Sequence, residues 1–303
     1  MMRHMTDILA AAGNRPKQTL VLTNGTDRHS LEAVYLAAEK GLVRVIVTGN
    51  REKIGQALRE AGIPDTVFRI AEAADEVEAV RLGVRMVCCG EAGLIMKGLV
   101  SSDIFMRALL NKQEGLLPPG GILSHITVVE NDYYSKLLLV SDVAVIPYPD
   151  IGQKKAMIGY LITTARALGT ATPRVALIAP SERVLTILPA TTDAAALVRL
   201  AREGAFPGSY VDGPMALDVA VDAESAAVKH ISSPVAGQAD CLLFPNIDAG
   251  NVFYKASTKL CHSRQGAMVV GAKAPVVLSS RGDSTETKLY SIALASLVSK
   301  QAS

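Results

Sequence analysis

Short unbroken apolar runs that alternate with helix-length amphipathic stretches constrain this chain more than any other feature. TLVLT at 19–23 and VRVIVTG at 43–49 read as buried strands, with a helix over about 30–40 between them. GLIMKG (93–98), ITVVE (126–130) and KLLLVSDVAV (136–145) read as further strands, and 51–61, 75–89 and 102–112 as helices. A strand that is apolar on both faces must be covered on both faces. The alternation therefore predicts α/β layers around a largely parallel sheet. Composition shifts at IPYPDIGQKK (146–155), where two prolines and a glycine separate a strand from a helix over 152–168, and this is the best boundary between domains. A second series follows: strands at 174–179 and 240–245, helices near 191–203, 222–229 and 249–261, two apolar runs within 268–280, and a last helix over 284–299. No internal repeat or low-complexity segment is present.

Composition narrows the function. At 303 residues the chain is long for one core and comfortable for two. Aromatics make up 4% with no Trp, too few for a surface that stacks nucleobases. A net charge of +2 without a basic run argues against duplex binding, so nucleic acid is not expected as a partner. The N-terminus reads as a short amphipathic helix, without the apolar run of a signal peptide or membrane span, so a soluble cytoplasmic protein is expected. Cys88, Cys89, Cys241 and Cys261 show no C-x-x-C spacing, and no metal site is read from them. Cys88 and Cys89 fall in an apolar helical stretch and read as buried reduced thiols. G-x-G-x-x-G after a strand, the P-loop pattern, H-E-x-x-H and G-x-S-x-G are all absent.

Three stretches carry candidate chemistry. In KAPVVLSSRGDSTETKLYSIALASLV (273–298) a strand delivers Ser280 and Arg281 to its carboxyl end, Gly282 permits a turn, and a helix follows. Ligands of open α/β sheets bind at such ends, a helix start suits an anion, and an Arg holds phosphate through two parallel bonds. Asp283 to Glu286 also forms a capping-box pattern, which explains those two residues but not the Ser280–Arg281 pair. In MKGLVSSDIFMRALLNK (96–112) Ser101 and Ser102 open a helix after Gly98, with Lys97 and Arg107 supplying positive charge; an ordinary serine cap is the simpler account. In LFPNIDAGNVFYK (243–255) Asn246, Asp248 and Asn251 occupy a strand-to-helix loop, and Tyr254 and Lys255 lie one turn into the helix.

In their order, VDGPMALD, SPVAGQAD, LFPNIDAGNVFYK and VVLSSRGDSTETKLYSIA, together with the N-terminal TNGTDRHSLEAVYLAAEKGLVRVIVTGN and KGLVSSD, resemble the phosphate acetyl/butyryltransferase family over nearly the whole chain. The resemblance implies a two-domain α/β fold like that of isopropylmalate and isocitrate dehydrogenases, with a cleft between the domains and a homodimer. Residues 1–148 with 268–303 would form one domain and 149–267 the other. It implies transfer of a short acyl group between coenzyme A and inorganic phosphate, with coenzyme A as substrate, acyl phosphate as product and no permanently bound cofactor. GPMALD and GAKAPVVLSSR look more like the butyryl than the acetyl branch. Arg281 would hold phosphate and Ser280 the developing oxyanion, with Ser101, Ser102, Lys97 and Arg107 around the phosphate. Asn246, Asp248, Asn251, Tyr254 and Lys255 would line the coenzyme cleft. Acetyl enzymes carry an Asp seven residues after the Ser; Thr287 stands there, leaving Glu286 as the nearest carboxylate for a base. A phosphate acetyltransferase, a dehydrogenase on the shared fold and a non-catalytic coenzyme A or phosphate-binding protein are the alternatives.

Overall fold

The structure is a computed structural model and describes residues 1–278 and 282–299. The chain opens with α1 (Met5–Gly13), β1 (Gln18–Thr23), α2 (Arg28–Glu39), β2 (Val43–Gly49), α3 (Arg51–Glu60), β3 (Arg69–Glu72), α4 (Glu76–Cys88), β4 (Leu94–Lys97) and α5 (Ser102–Leu109). It continues through β5 (Ser124–Glu130), β6 (Leu138–Ser141), α6 (Ile151–Ala167), β7 (Arg174–Ile178), α7 (Pro189–Arg202) and β8 (Tyr210–Met215). After these come α8 (Leu217–Val221), α9 (Ala223–Val228), β9 (Cys241–Leu243), α10 (Ile247–Lys259), β10 (Arg264–Val270), β11 (Val276–Val277) and α11 (Thr285–Val298). Contacts divide the chain into two compact units. The terminal unit holds Thr6–Leu123 and the segment from Gly266 onward; the central unit holds Ser124–Gln265 with Met1–Met5.

In the terminal unit the strand order is β3-β2-β1-β4-β11-β10. All neighbours are parallel except β10 and β11. Leu20 lies in register with Val45 on one side and Leu94 on the other. Leu20, Val21 and Leu22 are fully buried, as are Leu94, Ile95 and Met96, which is why these runs are apolar at every position rather than at alternate ones. Every residue of α11 from Lys288 to Leu297 is buried, so the helix is enclosed rather than laid on the surface.

The central unit orders its strands β5-β6-β9-β7-β8, antiparallel only between β5 and β6. Its core gathers Val140, Ala176, Val219, Val235 and Leu242, all fully buried. Each large apolar side chain so enclosed contributes about 1.5–3 kcal/mol. Met1–Met5 is tied on by two of its backbone N–H groups, Met2 N–H donating to the Leu168 backbone O (3.0 Å) and Met5 N–H to the Glu130 side-chain carboxylate (2.6 Å).

The predicted α/β layering with a largely parallel sheet is present, and four details differ. β3 and β8 were not foreseen; both end their strand orders, and β8 carries Gly213-Pro214, which only an edge tolerates easily. The helix expected near 222–229 is present as α9, but an unforeseen short helix, α8, precedes it, and Asp222 ends α8 and caps α9. Residues 124–148, placed with the first domain on local composition, group with the central unit because β5 pairs with β6 and β6 with β9. Cys88 and Cys89 are exposed, not buried: they close α4, past its buried stripe.

Candidate functional site

The carboxyl ends of β1, β2 and β4 meet in the terminal unit and are laced together by backbone. β1 runs into Asn24, whose φ of 48° is the left-handed conformation that Asn tolerates better than most side chains. Gly98 N–H donates to Thr23 O (2.9 Å) and Leu99 N–H to Asn24 O (3.0 Å). A Cβ on Gly98 would lie 2.5 Å from Thr23 O and 2.7 Å from Asn24 O, so only glycine lets the two loops touch. The Asn24 amide closes the same contact by donating to Leu99 O. Lys97 is buried beneath the loop, and its ammonium donates to Gly98 O (3.3 Å) and Val100 O (3.0 Å). A charge held on carbonyls stiffens the loop and still adds positive potential beside it.

This loop delivers the serines. Ser101 caps α5, its hydroxyl accepting from Ile104 N–H (3.2 Å), and Ser102 is the exposed first residue of the helix. Arg107 lies on the exposed face of α5, in its last turn. Beside Ser101 opens a cavity of about 870 Å³, within the ~300–1,000 Å³ span of small-molecule sites. Asn24, Thr26, Asn50, Lys53, Gln56 and Ser101 supply polar groups to its wall. Of these the sequence reading singled out only Ser101. Asn24 and Asn50 carry the missed signal: each stands directly after an apolar strand run.

Ser280 and Arg281 lie outside the described residues. The helix they precede starts one residue later than the capping-box pattern suggests. Ser284, not Asp283, is the cap, and its hydroxyl accepts from Thr287 N–H (3.1 Å). Glu286 is exposed, and its carboxylate accepts from the Tyr290 hydroxyl (3.1 Å) rather than closing a box. Thr285 Oγ1 reaches Glu32 (3.4 Å), which ties the start of α11 to the start of α2. The Arg28 hydrogen bond (2.6 Å) holds the Glu32 carboxyl below its usual range.

In the central unit the third stretch is built as tightly. Asn246 caps α10 by accepting from Ala249 N–H (3.0 Å), Asn251 donates its amide to Val143 O (2.9 Å), and Asp248 accepts from the Tyr148 hydroxyl (2.9 Å). That bond to the carboxylate raises the Tyr148 pKa. A Cβ on Gly250 would stand 2.1 Å from Asp142 O, so α10 packs directly on backbone there. Asp142 anchors this seat: its buried carboxylate accepts from Ser124 Oγ, His125 N–H, Ala144 N–H and Val145 N–H at 2.8–3.0 Å. Asn246, Asp248 and Asn251 thus share one helix start; Tyr254 is half-buried and Lys255 exposed a turn further on. Among the described residues no group of three or more His, Cys, Asp or Glu could hold a metal ion, and no helix is long and apolar enough to cross a membrane.

The fold and these loops define an α/β protein whose candidate site residues gather at strand carboxyl ends and the helix starts that follow them. Residues 66–296 match the family model described as phosphate acetyl/butaryl transferase. Phosphate butyryltransferase of Clostridium beijerinckii is 38% identical over 298 residues, covering 98% of each chain. Phosphate acetyltransferase of Thermotoga maritima is 37% identical over 279 residues, covering 92% of this chain and 94% of that protein. Among solved structures, a branched-chain phosphotransacylase from Enterococcus faecalis superposes with a TM-score of 0.81 at 28% identity, over 93% of this chain and all of that one. The chain belongs to the phosphate acetyl/butyryl transferase family.

Proposed function

We propose that this protein transfers a short acyl group between coenzyme A and inorganic phosphate, with butyryl or branched short chains preferred over acetyl. The observation that carries this is the end-to-end likeness to phosphate butyryltransferase, 98% of each chain. The preference rests on the same relative and on the butyryl-like segments at 213–218 and 271–281. In the forward direction a phosphate oxygen attacks the thioester carbonyl, the carbonyl becomes an oxyanion, and coenzyme A leaves as a thiolate that then takes a proton. No covalent acyl-enzyme and no bound cofactor are needed when both substrates are held in position.

Arg281 holds the phosphate and Ser280 the oxyanion, where one donor contributes about 2.7–4 kcal/mol in other enzymes. Ser101 and Ser102 complete the phosphate cradle, with Lys97 and Arg107 adding positive charge. Glu286, the nearest carboxylate in the sequence, acts as the base toward the coenzyme thiol in the reverse direction. Asn246, Asp248, Asn251, Tyr254 and Lys255 border the coenzyme. An isopropylmalate/isocitrate dehydrogenase-like arrangement, a cytoplasmic location and a homodimer go with this reading.

Thiol release from butyryl-CoA tests it: release should require phosphate, and kcat/KM should rank butyryl and branched esters above acetyl. Arg281→Ala should raise the phosphate KM and lower kcat by orders of magnitude with the fold intact. Absence of phosphate-dependent release from the wild type would favour a non-catalytic binding protein instead.

A further inference from the structure

The central unit holds a cavity of its own, of about 310 Å³, beside the later turns of α10 and apart from the Asn246 cap. Three pairs of side chains build it, each at the spacing its element dictates. Val129 of β5 and Leu138 of β6 stand in register across the antiparallel pair and give one wall. Leu217 and Val221, four apart on α8, give a second, and Phe253 and Ser257, four apart on α10, a third. Cys261, just past the end of α10, lines it as well.

Most polar groups on these walls are already spent. The Tyr134 hydroxyl donates to Ala239 O (2.6 Å) and the Ser257 hydroxyl to Phe253 O (2.8 Å). The Asn131 amide donates to Ser263 Oγ (2.8 Å), and its carbonyl accepts from Tyr133 N–H (2.9 Å). Asp222 accepts from Ser225 N–H (2.7 Å) as the cap of α9. What remains for a ligand is hydrocarbon, the Ser263 hydroxyl hydrogen, the Cys261 thiol and Tyr133, which stands almost wholly in solvent. Among the described residues of the wall only Asp222 is charged, and no cation stands there to offset an anion. A phosphate or carboxylate brought in would lose its water and meet a like charge. Coenzyme A, inorganic phosphate and acyl phosphate are all anions and do not fit these walls.

We propose that this cavity is a binding site for a neutral, largely apolar small molecule carrying at most one hydrogen-bonding group. Its volume is about twice the ~150 Å³ that holds benzene in an engineered cavity and falls at the small end of the ~300–1,000 Å³ span of ligand sites. The ligand is therefore of two-ring or short-chain size. Walls on three sides make a pocket for a compact guest rather than a flat face for a second copy. The site stands whether or not the chain carries out the proposed transacylation.

Cys261 reports occupancy, because it is exposed and on the wall. Its alkylation by iodoacetamide is followed by peptide mass in the presence of octan-1-ol, a neutral probe, or octanoate, its anionic counterpart. At 1 mM, octan-1-ol should slow the Cys261 reaction about 2- to 10-fold, as a Kd between ~0.1 and ~1 mM requires. Cys88 and Cys89, exposed in the terminal unit, should react at unchanged rates. Octanoate should protect none of the three. Val221→Phe fills the cavity from α8 and should abolish the protection. Should that variant fail to fold, Leu217→Trp places a single fluorophore on the wall of a chain that has no Trp, and its emission should shift with octan-1-ol and not with octanoate. Equal protection by octanoate, slowing of all three exposed cysteines, or no protection by octan-1-ol overturns the site. A Cys261 rate that ignores the probe and falls as protein concentration rises also overturns it, and gives the cavity to a second copy of the chain.

Discussion

Two glycines show how little room the loops leave. Gly98 and Gly250 stand where a Cβ would meet backbone oxygen at 2.5 and 2.1 Å, and a carbonyl cannot step aside as a flexible side chain can. Gly98→Ala and Gly250→Ala should each cost about 1–3 kcal/mol, the usual penalty for overpacking, read as a lower urea midpoint at unchanged slope. Gly250→Ala should also loosen the Asn251 bond to Val143 O, because the whole first turn of α10 must move. Alanine at Gly55, by contrast, meets only ordinary contact and should be neutral or stabilising.

Among elements, the turn from β5 to β6 has a titratable fastening. The Tyr134 hydroxyl donates to Ala239 O (2.6 Å), and Lys136 pairs with the buried Asp240 carboxylate at 2.6 Å, so the turn is pinned to the entry of β9. Burial, and secondarily the charge of Asp240, push the Tyr134 pKa well above the ordinary tyrosine range. The unfolded chain releases that proton near pH ~10 while the folded chain keeps it. The stabilisation is therefore fully present below pH ~10 and is lost as pH rises beyond it. Tyr134→Phe should flatten that alkaline decline in a stability–pH profile. At neutral pH it should cost about 0.5–1.5 kcal/mol for the lost hydrogen bond.

For the molecule as a whole, assembly is the open property with a direct handle. Val252 in α10 is 68% exposed and Leu260, the residue that caps its end, 78% exposed, and exposed apolar side chains are candidates for contact with a partner. If the proposed homodimer uses this helix, light scattering should give twice the 31.9 kDa chain mass. Val252→Asp with Leu260→Asp should then give the single-chain mass with unchanged circular dichroism. A dimer that persists in the double variant would place the interface elsewhere.

What the residues alone determined was the α/β class, the family and the order of the buried strands and longer helices. Buried parallel strands such as β1 and β4 are apolar at every position and cannot be mistaken for surface, and several long motifs in one order leave little freedom of assignment. The edge strands β3 and β8 escaped because half-covered backbone carries no such run, and β8 hides its pairing behind Gly213-Pro214. Only the tertiary structure decided the grouping of 124–148, since strand pairing over a hundred residues of separation outweighs a local cluster of prolines. It also decided that Lys97 lies under its loop, and that Asn24, Asn50 and Lys53 share one cavity wall. Those facts depend on which strand ends converge in space, and convergence is set by the register of the sheet rather than by any neighbouring residue in the chain.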